Sequence, residues 1–351
     1  MKILLTGAAG FIGAHCTVRL LRDGHRVVGV DNFNDYYDPA LKEARVEWVR
    51  EQAGDYPLLR FDLANAGALA EAFSDVQPDA VIHLAAQAGV RYSLQHPHAY
   101  TRSNIEAFLN ILEGCRAHPV RHLLYASSSS VYGANQRIPY SVHDNVDHPL
   151  SLYAATKKAN ELMAHAYSHL FRIPCTGLRF FTVYGPWGRP DMSPIQFARA
   201  ISAGQPLELF NHGLHQRDFT YIDDIVEGVV RLLDQPPPPD LAWDGNRPDP
   251  ASSTAPWRVL NIGGQSPVEL LEYVATLEKH LGRQALVQLK PLQPGDVLST
   301  CADASDLQRL TGFTPRIGLD EGIARFVEWF STYYPADLSA RPDAVAPEQI
   351  A

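Results

Sequence analysis

Residues 2–6, Lys2-Ile3-Leu4-Leu5-Thr6, form a short apolar run that passes directly into Gly7-Ala8-Ala9-Gly10-Phe11-Ile12-Gly13 and then into an apolar-periodic segment ending near Leu21. This order of strand, glycine loop and helix constrains the fold more than any other feature of the chain. One glycine makes the tight turn, one lets backbone approach a pyrophosphate, and one lets the helix pack on its strand with its first amides facing the anion. The spacing is GxxGxxG, not the GxGxxG of the standard dinucleotide fingerprint, so taken alone it would equally describe a glycine-rich turn in any α/β protein.

The next run, Arg26-Val27-Val28-Gly29-Val30-Asp31, ends in an acid at the distance expected for gripping adenosine ribose hydroxyls. Asp31 would repel a 2′-phosphate, so NAD is expected over NADP, with Arg26 or another cation as the group that could soften that preference. Further apolar runs end at Phe61-Asp62-Leu63, at residues 81–86 and at residues 123–127, with helix-like stretches between them. Strands and helices alternating at these lengths require right-handed crossovers and a parallel sheet. The expected class is α/β, a Rossmann-like doubly wound parallel sheet with a smaller C-terminal substrate-binding lobe, and ligands are expected beyond the carboxyl ends of the strands. His83, inside an apolar run, reads as a core residue.

Composition limits the partners. A chain of 351 residues with 46% hydrophobic content can bury a large core. Lys+Arg 30 against Asp+Glu 39 gives a net charge of −9, with no basic run, which argues against nucleic acid and anionic membranes. Cys16, Cys115, Cys175 and Cys301 are scattered, with neither CxxC nor Cys/His ligand spacing, so neither metal nor disulfide framework is expected and a reduced, cytoplasmic setting fits. The apolar start is too short for a signal peptide and no stretch approaches bilayer length.

Tyr153 and Lys157 lie four residues apart in a helical segment, on one face. A phenol with a pKa near 10 is a poor base at neutral pH, and a cation within a few ångströms stabilises its phenolate. Such a tyrosine can take or give a proton at a carbinol oxygen. In isolation the pair more often describes an ordinary amphipathic helix with a half-buried Tyr and a solvated Lys, and its context reverses that reading.

Together, Gly10-Phe11-Ile12-Gly13, Leu84-Ala85-Ala86, Ser127-Ser128-Ser129-Ser130-Val131-Tyr132-Gly133 and Tyr153-x-x-x-Lys157 resemble the extended short-chain dehydrogenase/reductase family, in its nucleotide-sugar epimerase/dehydratase branch, over nearly the whole chain to about Tyr334. Residues 31–38 with Leu41 and Lys42, residues 86–93 and residues 185–192 look specifically like segments of UDP-glucuronate 4-epimerases. The resemblance implies a cofactor site of Gly7, Ala9, Gly10, Phe11, Ile12, Gly13, Asp31, Asn32 and Asn34, continued by Asp62, Leu63, Leu84, Ala85, Ala86 and Gln87, with Tyr153 and Lys157 at the nicotinamide end. The dehydratases it resembles carry an Asp-Glu pair just before Val-Tyr-Gly, and the related decarboxylases a Glu in the second position. Here Ser129 and Ser130 fill both, which removes the expected agents of elimination and decarboxylation. Ser128, 25 residues before Tyr153, falls at the position of the epimerases' catalytic hydroxyl, with Ser129 beside it.

The resemblance then implies that Tyr153 takes the 4-hydroxyl proton while C4 gives its hydride to NAD, that Ser128 shares the proton path, and that Lys157 lowers the tyrosine pKa and holds the nicotinamide ribose. The 4-keto sugar turns over and is reduced on its other face, giving UDP-galacturonate from UDP-glucuronate. Thr182 stands as a polar contact to the sugar nucleotide. Arg189, with Arg91 as a second candidate, suits the C6 carboxylate, because a guanidinium can grip it with two charge-assisted hydrogen bonds. A 4-keto uronate is a β-keto acid, and that grip would also restrain loss of carbon dioxide. Arg217 is expected at the diphosphate, Gln293 and Asp296 in a nucleotide-binding turn, and Asp223 or Asp224 as a helix cap. The expected domains are residues 1–180 for NAD, with about 215–262 returning to it, residues 181–334 mainly for substrate, and a flexible tail at 335–351. Residues 235–257 read as an exposed Pro-rich excursion. Segments near 98–117 and 153–170 resemble the pair by which this family forms a homodimer. The alternatives are a UDP-glucose or UDP-N-acetylglucosamine 4-epimerase, and a non-catalytic NAD or nucleotide-sugar binder.

Overall fold

The computed structural model describes residues 1–292 and 298–335. Twelve strands follow in chain order: β1 (Lys2–Thr6), β2 (Arg26–Asp31), β3 (Leu58–Arg60), β4 (Ala80–His83), β5 (His122–Ser128), β6 (Cys175–Phe180), β7 (Thr182–Tyr184), β8 (Pro206–Leu209), β9 (Gln216–Tyr221), β10 (Trp257–Ile262), β11 (Pro267–Glu269) and β12 (Leu286–Leu289). Seven of them form one sheet in the order β10-β6-β5-β4-β1-β2-β3, and every pairing in it is parallel. The chain builds outward from β1 to β3, then returns to lay β4 on the other side of β1. That reversal opens a crevice above the carboxyl ends of β1 and β4, where a doubly wound sheet takes its ligand.

Neighbouring residues of a strand point to opposite faces, so both faces of the sheet need cover. Ile3 and Leu5 pack with Cys16 and Leu20 of helix Phe11–Arg22 and with Ile225 and Val229 of helix Ile222–Leu233. Leu4 points the other way, towards Phe73, Phe108, Ile111 and Ala164 of helices Ala66–Val76, Ala107–Ala117 and Leu152–Phe171. The first cluster continues through Tyr184 and Phe219 to Phe326 and Phe330 of helix Leu319–Tyr333, so the C-terminal elements share a core with the sheet. They include two small sheets, β11-β9-β7 and β12-β8.

Several expectations change. The third strand ends at Arg60, so Phe61, Asp62 and Leu63 lie in the loop beyond it. Only part of 215–262 rejoins the large sheet, because β9 belongs to a small one while β10 supplies the seventh strand. Between Leu233 and Trp257 there is no helix or strand, as expected, but the second half of that excursion is anchored rather than exposed: Ala251, Ser253 and Ala255 are buried, and the Asp240 carboxylate accepts from Ser252 Oγ at 2.9 Å. The expected flexible tail, beyond Pro335, lies outside the described residues. Asp223 and Asp224 do not cap their own helix. Asp224 accepts the amides of Arg316 and Ile317 at 3.0 and 2.9 Å, and Asp223 pairs with Arg325.

Candidate active site

Helix Leu152–Phe171 opens at Ser151, whose Oγ accepts the Ala154 amide at 3.1 Å. The cap fixes Tyr153 in the first turn and brings Lys157 and Glu161 onto successive turns of one face. Lys157 Nζ donates to the Ala126 carbonyl of β5 at 2.9 Å. Glu161 accepts from Ser127 Oγ at 2.7 Å and from Arg179 of β6 through Nε and Nη2, both at 2.9 Å. Both members of this ion pair are buried, and the two-toothed geometry offsets the cost of burying them. The helix is thereby pinned to the ends of β5 and β6. Ser128, the last residue of β5, stands beside the Tyr153 phenol, where its hydroxyl favours the anion, and accepts the Ser130 amide at 3.1 Å. In a π-helical turn over Thr101–Glu106, Asn104 holds the Gln87 amide at 2.8 Å and donates to Thr156 Oγ1 at 3.0 Å.

Burial pushes the Tyr153 phenol above its ordinary pKa, opposed by the Ser128 hydroxyl and by the charge of Arg189. Burial lowers the Lys157 ammonium to about 8. Lys157 is therefore not the sole cation to consider. Its head group is held on a carbonyl, and Arg189 contributes to stabilising the phenolate.

One cavity of about 370 Å³ brings most of the expected residues together. Ser128, Ser129, Tyr153, Lys157, Thr182 and Arg189 line one part of it. Gly7, Gly10, Phe11, Ile12 and Gly13 line another, with Asp31, Asn32 and Asn34 beyond them. Asp62, Leu63, Leu84, Ala85, Ala86 and Gln87 complete that wall. Ala9, Arg91 and Arg217 are not part of the lining. Ala9 is buried beneath the loop, with its amide on Asp31 Oδ2 at 3.1 Å. Arg91 is exposed at the start of the short helix Tyr92–Gln95, and Arg217 Nη1 donates to the carbonyls of Gln216 and Leu298 at 2.9 and 3.2 Å. Gln293 and Asp296 lie outside the described residues.

The glycine-loop wall fits a dinucleotide. Helix Phe11–Arg22 begins at Gly10 with no side-chain cap, which leaves its first amides available to an anion. Gly7 takes φ +72°, and a Cβ on Gly13 would overlap the Gly7 carbonyl. Asp31 is 8% exposed and sits at the end of β2. Its nearest cation is Lys42, with Nζ 3.9 Å from Oδ1, whereas Arg26 stands at the opposite end of the same strand.

Three further residues were not singled out from sequence. Arg189 is gripped by Asp191 through Nε at 3.0 Å and Nη2 at 2.5 Å, and Asp191 also accepts from Tyr36 Oη at 3.0 Å. Arg45 is fully buried; it donates to the carbonyls of Trp187 (2.9 Å), Gly188 (3.0 Å) and Ala9 (3.2 Å) and to Tyr37 Oη (2.6 Å). It ties the glycine loop to the loop that carries Arg189 and holds Trp187 at φ +64°, a conformation that side chains other than Gly rarely adopt. Tyr36 and Asp191 stand inside two of the runs that mark the resemblance, and that was the available signal. Arg45, just outside them, gave none.

A family model described as "NAD dependent epimerase/dehydratase family" matches residues 3–241. Protein CapI of Staphylococcus aureus is 52% identical over 95% of this chain and 99% of its own length. A probable UDP-glucuronate 4-epimerase of Rhizobium meliloti (strain 1021) is 48% identical over 95% and 98%. Among solved structures, the UDP-glucuronic acid 4-epimerase of Bacillus cereus in complex with UDP-glucuronic acid and NAD matches with a TM-score of 0.83 at 33% identity, covering 95% of this chain and 100% of that one. The chain belongs to the NAD-dependent epimerase/dehydratase family.

Proposed function

We propose that the chain is an NAD-dependent UDP-glucuronate 4-epimerase, interconverting UDP-glucuronate and UDP-galacturonate. The observation that carries the reading is that Tyr153, Ser128 and Arg189 share a cavity with the glycine loop, while serines occupy the two positions after Ser128. Two relatives with this name, from Rhizobium meliloti and Bacillus cereus, support it.

NAD, when bound, accepts the C4 hydride and returns it. Tyr153 removes the O4 proton as phenolate, so the C4–H and O4–H bonds both break and a 4-keto sugar forms. Ser128 bridges O4 and the phenol, and the same tyrosine returns the proton once the sugar has turned its other face. Arg189 holds the C6 carboxylate away from alignment with the carbonyl π system, where carbon dioxide would leave.

The test is incubation of the purified protein with UDP-glucuronate and no added cofactor, followed by product separation. UDP-galacturonate is expected, and a protein containing bound NAD that makes none would defeat the reading. Arg189→Ala should leak UDP-pentose.

A homodimer and a cytoplasmic site are part of the same proposal. Leu162 and Leu170, two turns apart on helix Leu152–Phe171, are 59% and 66% exposed, and Leu109 is exposed on helix Ala107–Ala117. Light scattering should give twice the chain mass, and Leu162→Glu should halve it. No described helix is long and apolar enough to cross a membrane, and all four cysteines are free.

A further inference from the structure

The three runs that resemble UDP-glucuronate 4-epimerases most closely, residues 31–38, 86–93 and 185–192, are far apart in the chain, yet the structure joins them at one point. Tyr36, from the first, donates to Asp191 Oδ2 of the third at 3.0 Å. Gly89, from the second, takes φ +91°, and a Cβ there would run into Tyr36 Oη. Tyr92, also from the second, packs its ring on Tyr36 at 4.7 Å. The product of this convergence is the hold on Arg189, whose Nε and Nη2 edge is occupied by Asp191 at 3.0 and 2.5 Å. Arg189 lines the cavity that contains Tyr153, and its side chain is 25% exposed.

A guanidinium has two hydrogen-bonding edges, and a carboxylate filling one fixes the plane and direction of the other. An arginine on a flexible stem would otherwise follow the substrate carboxylate through its rotations. Position is what matters here, because the 4-keto uronate keeps its carboxyl group only while the C–C bond to it stays out of line with the carbonyl π system.

We propose that Tyr36 and Asp191 are positioning residues that fix the Arg189 guanidinium and so set both the preference for a uronate and the retention of its carboxylate. The inference rests on the function proposed above. Gly89 is the residue that leaves room for the relay.

The experiment compares holoenzyme, Asp191→Asn and Tyr36→Phe with UDP-glucuronate, recording kcat, KM, the share of UDP-pentose in the product, bound NAD and the unfolding temperature. Asp191→Asn should lose about tenfold or more in kcat/KM, the loss of a hydrogen-bonded charge partner, chiefly through KM. Its UDP-pentose share should rise several-fold above that of the parent, with bound NAD unchanged. Tyr36→Phe should move the same two quantities in the same direction by less. A residue with only a structural role would lower the unfolding temperature and leave product partition alone. Unchanged KM and unchanged UDP-pentose in both variants would overturn the inference while leaving the function standing. A parent protein inactive on UDP-glucuronate would overturn both.

Discussion

In the proposed mechanism Tyr153 gives up a proton from a site that penalises its anion, since burial pushes its pKa up against the pull of Ser128 and Arg189. Its rate of proton removal should therefore rise with pH through neutrality without levelling off. Lys157 limits the other side: burial holds its ammonium near pH 8, so the cation is present below that pH and lost above it. The pH profile of kcat/KM should bend downward near pH 8, and in Lys157→Arg the bend should move to higher pH. Tyr153→Phe should cut kcat by about 10³-fold with bound NAD unchanged, as expected for loss of a general base. These residues were legible in the sequence because their chemistry depends on residue type and short spacing. Tyr36 and Arg45 were not, because the partners that give them a role, Asp191 and Trp187, lie 155 and 142 positions away and neither side chain carries a pattern of its own.

Helix Phe11–Arg22 can lie against the turn before it only because Gly13 has no side chain, since a Cβ would overlap the Gly7 carbonyl. Gly13→Ala should push the helix start away from the anion it is shaped to hold, and gel filtration should then strip NAD from the protein. Arg45→Met would leave the buried carbonyls of Ala9 and Gly188 and the half-buried carbonyl of Trp187 without their donor. At about 1.5–3 kcal/mol for each hydrogen bond to a charged group, it should lower the unfolding temperature by about 6–12 °C. Strands β1, β2, β4, β5 and β6 could be read from continuous apolar runs because both faces of a parallel sheet are covered. The third strand was read past its end because Phe61 and Leu63 are apolar for another reason, as part of the cavity wall and the packing beneath it. β10 had no helix-strand alternation to announce it, since it follows an irregular excursion.

Across the described residues, burial holds three histidines, His15, His83 and His122, in neutral form. Burial lowers His15 to about 4, and His83 and His122 to about 3, against 6.5 in an unfolded chain. Between pH 6.5 and 4 the unfolded state binds more protons, so stability is lost as pH falls through that window. Near pH 5 these groups contribute close to three protons, or about 4 kcal/mol per pH unit. Denaturant midpoints measured from pH 7 to 5 should fall steeply, and His122→Gln should reduce the slope by about one proton. The seventh strand has a different consequence. Because β10 closes the flank of β6 and lies at residues 257–262, a ribosome must release more than two thirds of the polypeptide before the sheet acquires its last member. A fragment of residues 1–180 would end on bare β6, whose unpaired amides and carbonyls invite a second copy to zip on. The two halves therefore cannot be exchanged between proteins by cutting after residue 180; a viable chimera must carry its own donor for that flank.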